Sequence, residues 1–186
     1  MVTETFPSID IRISSVESDL SLPLQPSGTP PDLTGWASAE DALLWINLHE
    51  PIPDPPAEYT EWVFAIDLDG DTLTGRPPGS AAIDPDLGTD AAIGLYYNPF
   101  GSNAYATYFL VWDPVQSGLV PMPGDVTYII NESRTLIGLS MPLDTLTGTV
   151  FEVSGVTFDP ALSRGRSAAL QGQGETRVID FYPNRP

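Results

Sequence analysis

Residues 61–75 read EWVFAIDLDGDTLTG. Trp62, Phe64, Ile66 and Leu68 alternate with Glu61, Val63, Ala65 and Asp67, the period of a strand that lays one face on a core. That strand, Glu61 to Leu68, then runs into a turn with carboxylates at every second position: Asp67, Asp69 and Asp71. Side chains at i and i+2 of an extended chain share a face, so Asp67 and Asp69 should point the same way. Gly70 permits a sharp bend that brings Asp71 back toward them. Residues Asp69 to Thr89 show almost no periodicity and carry Gly70, Gly75, Pro77, Pro78, Gly79, Pro85 and Gly88. An irregular excursion of this length in a compact domain calls for a function or a pin.

The same alternation recurs outward in both directions. Ile9 to Val16, Ala42 to Leu48, Ala91 to Tyr97 and Tyr105 to Trp112 read as strands. Asn98 to Asn103 is a turn-rich hairpin connection, and Val126 to Ile130 with Arg134 to Met141 form a second hairpin around Asn131-Glu132-Ser133. Phe151 to Phe158 reads as a strand with Phe151 and Val153 inward, and Arg177 to Tyr182 as the last strand. Leu20 to Gly35 is a loop, Pro51 to Pro56 a stiff connector, and Ala161 to Glu175 a small, polar, mobile loop. Helix is confined to one turn at Leu143 to Leu146. The expected fold is all-β: one antiparallel two-sheet sandwich, jelly-roll or immunoglobulin-like, of about eight to ten strands. It spans residues 1–186, with 1–8 and 183–186 as ragged ends.

Composition narrows the function. The 186 residues carry 25 acids against 7 bases, a formal charge of −18, and every base is Arg. Nucleic acid needs basic patches, so it is excluded as a partner, and anionic membrane surfaces are disfavoured. No apolar run reaches a membrane span, so no insertion is expected. Met1 leads directly into Val2-Thr3-Glu4-Thr5, which does not read as a signal peptide, although a leader trimmed earlier stays compatible. With no Cys, neither a disulfide nor a thiolate site is available. The single His, His49, has no visible nucleophile, and no Gly-x-Ser-x-Gly elbow occurs.

Bare carboxylates as close as Asp67, Asp69 and Asp71 repel, and a hard divalent cation removes that cost. Calcium takes six to eight oxygens, carboxylate and carbonyl mixed. The EF-hand pattern fails: counted from Asp67, its Gly and Glu positions hold Thr72 and Pro78. A strand-loop site remains, with Asp90 at the head of the next strand as the further ligand and the Leu73 backbone as a carbonyl donor. Asp84 and Asp86 are weaker candidates. An ion joining the Asp67–Asp71 group to Asp90 would restrict the loop as a disulfide does elsewhere. The plainer alternative is a solvated acidic turn.

These residues resemble a known group. FAIDLDGDTLTG followed by DLGTDAAIGLYYN is similar to extracellular β-sandwich modules of the family-nine carbohydrate-binding-like and DOMON-like group. The matching pieces are Asp67, Asp69, Asp71, Thr74, Gly75, Gly88 and Asp90, then Pro142 and Leu143 within RTLIGLSMPLDTL. Asn184 departs from the group's acidic closing segment. The resemblance implies a secreted or surface-attached module, calcium as a structural ion and, in some members, sugar binding.

Aromatics are the other candidates. Phe64, Tyr97 and Phe109 fall on the core parity, while Trp45, Tyr96, Tyr108 and Trp112 fall on the opposite one. The latter form either a ligand-stacking platform or a surface covered by a loop or sheet, the favoured reading. Trp36 and Trp62 are clamps or plugs. Three functions follow in order: a non-catalytic calcium-stabilised binding module for carbohydrate or another surface polymer; a structural or self-associating subunit of a cell-surface layer, fibre or adhesion system; and an enzyme, the least supported for want of an acid–base pair.

Overall fold

The computed structural model describes residues 11–14, 30–80, 87–172 and 178–182. Asp84 and Asp86 lie outside them. Among the described residues, ten strands form two antiparallel sheets. They are β1 Ile11–Ser14, β2 Asp41–Leu48, β3 Thr60–Asp67, β4 Ala91–Tyr97, β5 Tyr105–Asp113, β6 Gly118–Pro121, β7 Thr127–Ile130, β8 Leu136–Pro142, β9 Arg164–Gln171 and β10 Val178–Tyr182. One sheet has the order β1-β2-β8-β7 and the other β10-β9-β3-β4-β5-β6. The expected all-β two-sheet sandwich is the fold.

The core lies between the sheets. From β2 it takes Leu44, Ile46 and Leu48, from β3 Trp62, Phe64 and Ile66, with Leu68 just beyond, and from β8 Ile137, Leu139 and Met141. Trp62 is fully buried, a plug rather than a clamp. The opposite parity of β2 is buried as well. Leu43 and Trp45 pack under Leu33 and Trp36, which a 3-10 turn at Pro31–Leu33 folds across the outer face of the sheet. On the outer face of the larger sheet, Val63, Ala92, Ala168 and Leu170 make a further apolar layer.

Two expectations are corrected. Of the segment read as a strand, Phe151 to Phe158, the first four residues end a 12-residue helix, α1 Leu143–Ser154, and the rest is irregular. Leu146 and Val150 are buried, and Leu143 and Val153 pack beside them. That is the three-and-four spacing of a helix facing a core. Phe151, expected inward, is 59% exposed. The helix ends at Gly155, whose φ of 77° suits a residue without a Cβ, and whose N–H donates to Phe151 O at 2.9 Å. The second correction concerns Ala161 to Glu175, read as a mobile loop. It contains β9, an interior strand between β3 and β10. Gly165, Ser167, Ala168 and Ala169 are small and buried, paired with Ile66, Phe64, Val63 and Trp62 of β3, so no apolar alternation marks the strand. The short β6 also went unread.

Candidate metal centre

Antiparallel pairing of β3 with β4 sets Ile66 against Ala91. Continuing that register places Asp67, at the end of β3, beside Asp90, just before β4. Asp90 N–H donates to Ile66 O at 2.8 Å, and Leu68 N–H donates to Asp90 Oδ2 at 2.8 Å. On the other flank β9 sets Arg164 against Asp67. Asp69 follows two residues on, as the extended spacing requires. Asp67, Asp69 and Asp90 each present a carboxylate oxygen to the group, all within 4.8 Å of one another. This cluster could hold a metal ion.

The loop after β3 is tied by its own side chains. Gly70 N–H donates to Asp67 Oδ1 at 2.7 Å, and Asp71 N–H to Asp69 Oδ1 at 2.9 Å. Thr74 Oγ1 lies 3.0 Å from Asp69 Oδ1 and 2.7 Å from Asp71 O. Arg76 N–H donates to Thr89 O at 2.8 Å, which closes the excursion onto the approach to β4. Two glycines leave room for oxygens. A Cβ on Gly75 would sit 2.6 Å from both Asp90 Oδ1 and Gly88 O. A Cβ on Gly88 would sit 2.6 Å from Asp71 O and 2.7 Å from Thr74 O. Carbonyl oxygens are thereby crowded next to the carboxylates.

The electrostatics are severe. Asp67 and Asp90 are fully buried, and Asp69 is half-buried. Burial pushes the Asp90 carboxyl up from 3.8 to about 8, against the pull of the Leu68 N–H, and the charges of Asp69, Asp67 and Asp71 add to the rise. Asp67 is also raised, again by burial first, although the hydrogen bond and charge of Arg164 and the Gly70 N–H draw it back. Arg164 Nε bonds Asp67 Oδ2 at 3.0 Å, and Arg164 Nη2 donates to Gly70 O at 3.2 Å. Asp90 Oδ1 has no hydrogen-bond partner among the described residues. A buried carboxylate oxygen without a donor is costly unless it is protonated or bound to a cation. The donor set is all oxygen, which suits a hard cation rather than zinc or copper.

The residues read from the sequence sort as follows. Asp67, Asp69 and Asp90 come together. Asp71 is exposed, and its Oδ1 accepts from Leu73 N–H at 2.9 Å, while its main-chain oxygen stays near Gly88. Leu73 is 92% exposed. Arg164 was not anticipated: it lies 97 residues from Asp67, and no local spacing marks it.

The aromatic candidates divide between the sheets. Trp45 is buried on the smaller sheet, 5% exposed. Tyr96 and Tyr108 are half-buried neighbours on the outer face of the larger sheet, with ring centroids 6.3 Å apart, and Tyr59 stacks on Tyr96 at 6.0 Å. Tyr108 lies across Gly94, where any Cβ would collide with its ring. Its hydroxyl donates to Glu61 Oε1 at 2.5 Å, and the Tyr59 hydroxyl donates to Glu61 Oε2 at 3.1 Å. Trp112 sits further along β5, half-buried, lining a separate cavity with Arg76 and Leu119. His49 is exposed just past the end of β2. None of the described helices is long and apolar enough to cross a membrane. No family model, curated protein or solved structure matches this chain.

Proposed function

We propose that the chain is a non-catalytic extracellular binding module, stapled by calcium and directed at carbohydrate, of the family-nine carbohydrate-binding-like and DOMON-like kind that its sequence resembles. The observation that carries the reading is Asp90 Oδ1, buried, without a donor, and set among two further carboxylates. Calcium fits better than magnesium, because irregular shells of carboxylate and carbonyl oxygen suit the larger ion. An extracellular setting supplies such an ion freely, and a chain without Cys gains from it a cross-link that disulfides cannot give.

The ligand surface in this reading is the tyrosine cluster. Tyr59, Tyr96 and Tyr108 offer ring faces to the C–H face of a sugar, and Glu61 fixes two of their hydroxyls. Gly94→Ala should tip the Tyr108 ring off the sheet without touching the carboxylates, which lie four residues, about 13 Å, further along β3. In affinity electrophoresis through a panel of neutral polysaccharides, the wild-type protein is expected to be retarded by at least one. Gly94→Ala should weaken that binding about tenfold, equivalent to one lost aromatic contact. A panel with no retardation of the wild-type protein removes the carbohydrate assignment. The second reading is then a structural or assembly subunit. It is favoured by the short β7, last in its sheet among the described strands, with Tyr128 42% exposed. Calcium-dependent oligomers in light scattering would support it.

A further inference from the structure

A cavity of about 520 Å³ opens beside the carboxylate cluster, lined by Asp69, Thr74, Ser154, Thr157, Phe158 and Asp159 among others. Asp69 is the only member of the cluster that also lines this cavity. Asp67 and Asp90 are fully enclosed, whereas Asp69 is half-buried. An ion among the three would be closed in by protein on the Asp67 and Asp90 side and open on the Asp69 side. We propose that this cavity is a ligand subsite, separate from the tyrosine cluster, in which Asp69 presents the cation to a vicinal pair of hydroxyls on a neutral saccharide. The inference rests on the calcium reading and goes beyond it, because it gives the open side of the ion a ligand.

Three observations select the ligand chemistry. First, calcium takes six to eight oxygens, and three carboxylates with one or two nearby carbonyls leave positions for water or a ligand. Second, the charges select against anions: the Arg164 guanidinium and a divalent ion together offset the three carboxylates, and the Asp159 carboxylate on the cavity wall and Asp71 nearby leave the loaded site acidic. The chain's net charge of −18 further disfavours acidic glycans. Third, the walls suit a sugar. The lining includes Thr157 and Asp159, whose side chains hydrogen-bond hydroxyl groups, and Phe158 and Pro160, which are apolar. Asp159 Oδ1 accepts from Ala161 N–H at 2.8 Å, which leaves the second oxygen for a ligand hydroxyl.

The test uses terbium as the calcium stand-in on the full chain. The signal of interest is the luminescence that Asp90→Asn abolishes. Lifetimes in H2O and D2O then count the water molecules on the bound ion. About two or more are expected, falling by about two when methyl α-mannopyranoside, methyl α-galactopyranoside or methyl β-xylopyranoside is added in excess. Thr157→Val should leave terbium affinity unchanged and weaken the saccharide effect about fivefold, the loss of one hydrogen bond. A bound ion with no water, or with water that none of the three glycosides displaces, overturns the subsite and leaves the calcium staple standing. No Asp90-dependent terbium signal overturns the staple and the subsite together.

Discussion

Asp90→Asn is expected to abolish stabilisation by calcium and to flatten the fall of metal-free stability with rising pH. In chelator the wild-type carboxyl, raised to about 8 from 3.8, holds its proton more tightly in the folded chain than in the unfolded one. That contribution is complete below the ordinary carboxylate range and is lost as pH rises toward about 8. Wild-type stability without calcium should therefore fall with rising pH, at up to about 1.4 kcal/mol per unit for this one group. Asp67, raised for the same reason, acts in the same direction. Asn has no such proton, so in chelator near pH 8 the variant should be the more stable protein, by roughly 2–4 kcal/mol. With calcium the order inverts. The ion needs deprotonated carboxylates, so its affinity for the wild-type chain rises with pH and its binding releases protons. Urea melts from pH 5 to 8, with calcium and with chelator, check both halves. A wild-type curve that is flat or rising with pH in chelator contradicts the assignment of Asp90. So does a variant that still gains from calcium.

Arg164→Ala is expected to separate competition from support at the same site. Arg164 is the cation that the fold itself supplies to Asp67, through Nε at 3.0 Å. Without it Asp67 is a buried carboxylate near two others, a change that costs about 3–5 kcal/mol for a fully enclosed pair. Arg164 is 27% exposed, so water moderates the loss, and about 2–3 kcal/mol in chelator is expected. The variant should then bind calcium about tenfold more tightly, because one positive charge no longer opposes the ion at close range. Calcium would thus restore most of the lost stability. Calorimetric titration of both proteins measures the difference. Weaker binding by the variant would mean that Arg164 serves to position Asp67, and the competition account would fail.

How far the sequence spoke follows from the distance over which each signal acts. β3 was legible because Trp62, Phe64, Ile66 and Leu68 keep strict alternation, and Asp67 and Asp69 followed from the same period. Asp90 was legible as the acid that ends the excursion and opens β4. Asp71 was placed nearer the group than it is, because its carboxylate turns outward to the Leu73 N–H while only its charge and its carbonyl remain nearby. Helix α1 was misread because Phe151 and Val153 mimic a strand, whereas the deciding stripe of Leu146 and Val150 lies upstream. β9 was hidden by its own small residues, whose strand partners lie far away in the chain. Arg164 opens that strand, and nothing local could connect it to Asp67. Trp45 fell on the outward parity with cover by a loop or sheet as the favoured reading, and Leu33 and Trp36 are that cover, although periodicity does not say which loop supplies it.

The central claim is that a divalent ion, and not a solvated turn, accounts for three carboxylates within 4.8 Å of one another. Melting of the wild-type chain at pH 7.5, in excess calcium and in chelator, tests it most directly. At free calcium about 100 times the dissociation constant, the gain is about 2.7 kcal/mol, which raises Tm by roughly 5–10 °C for a chain of this size. Equal Tm in calcium and in chelator would contradict the account.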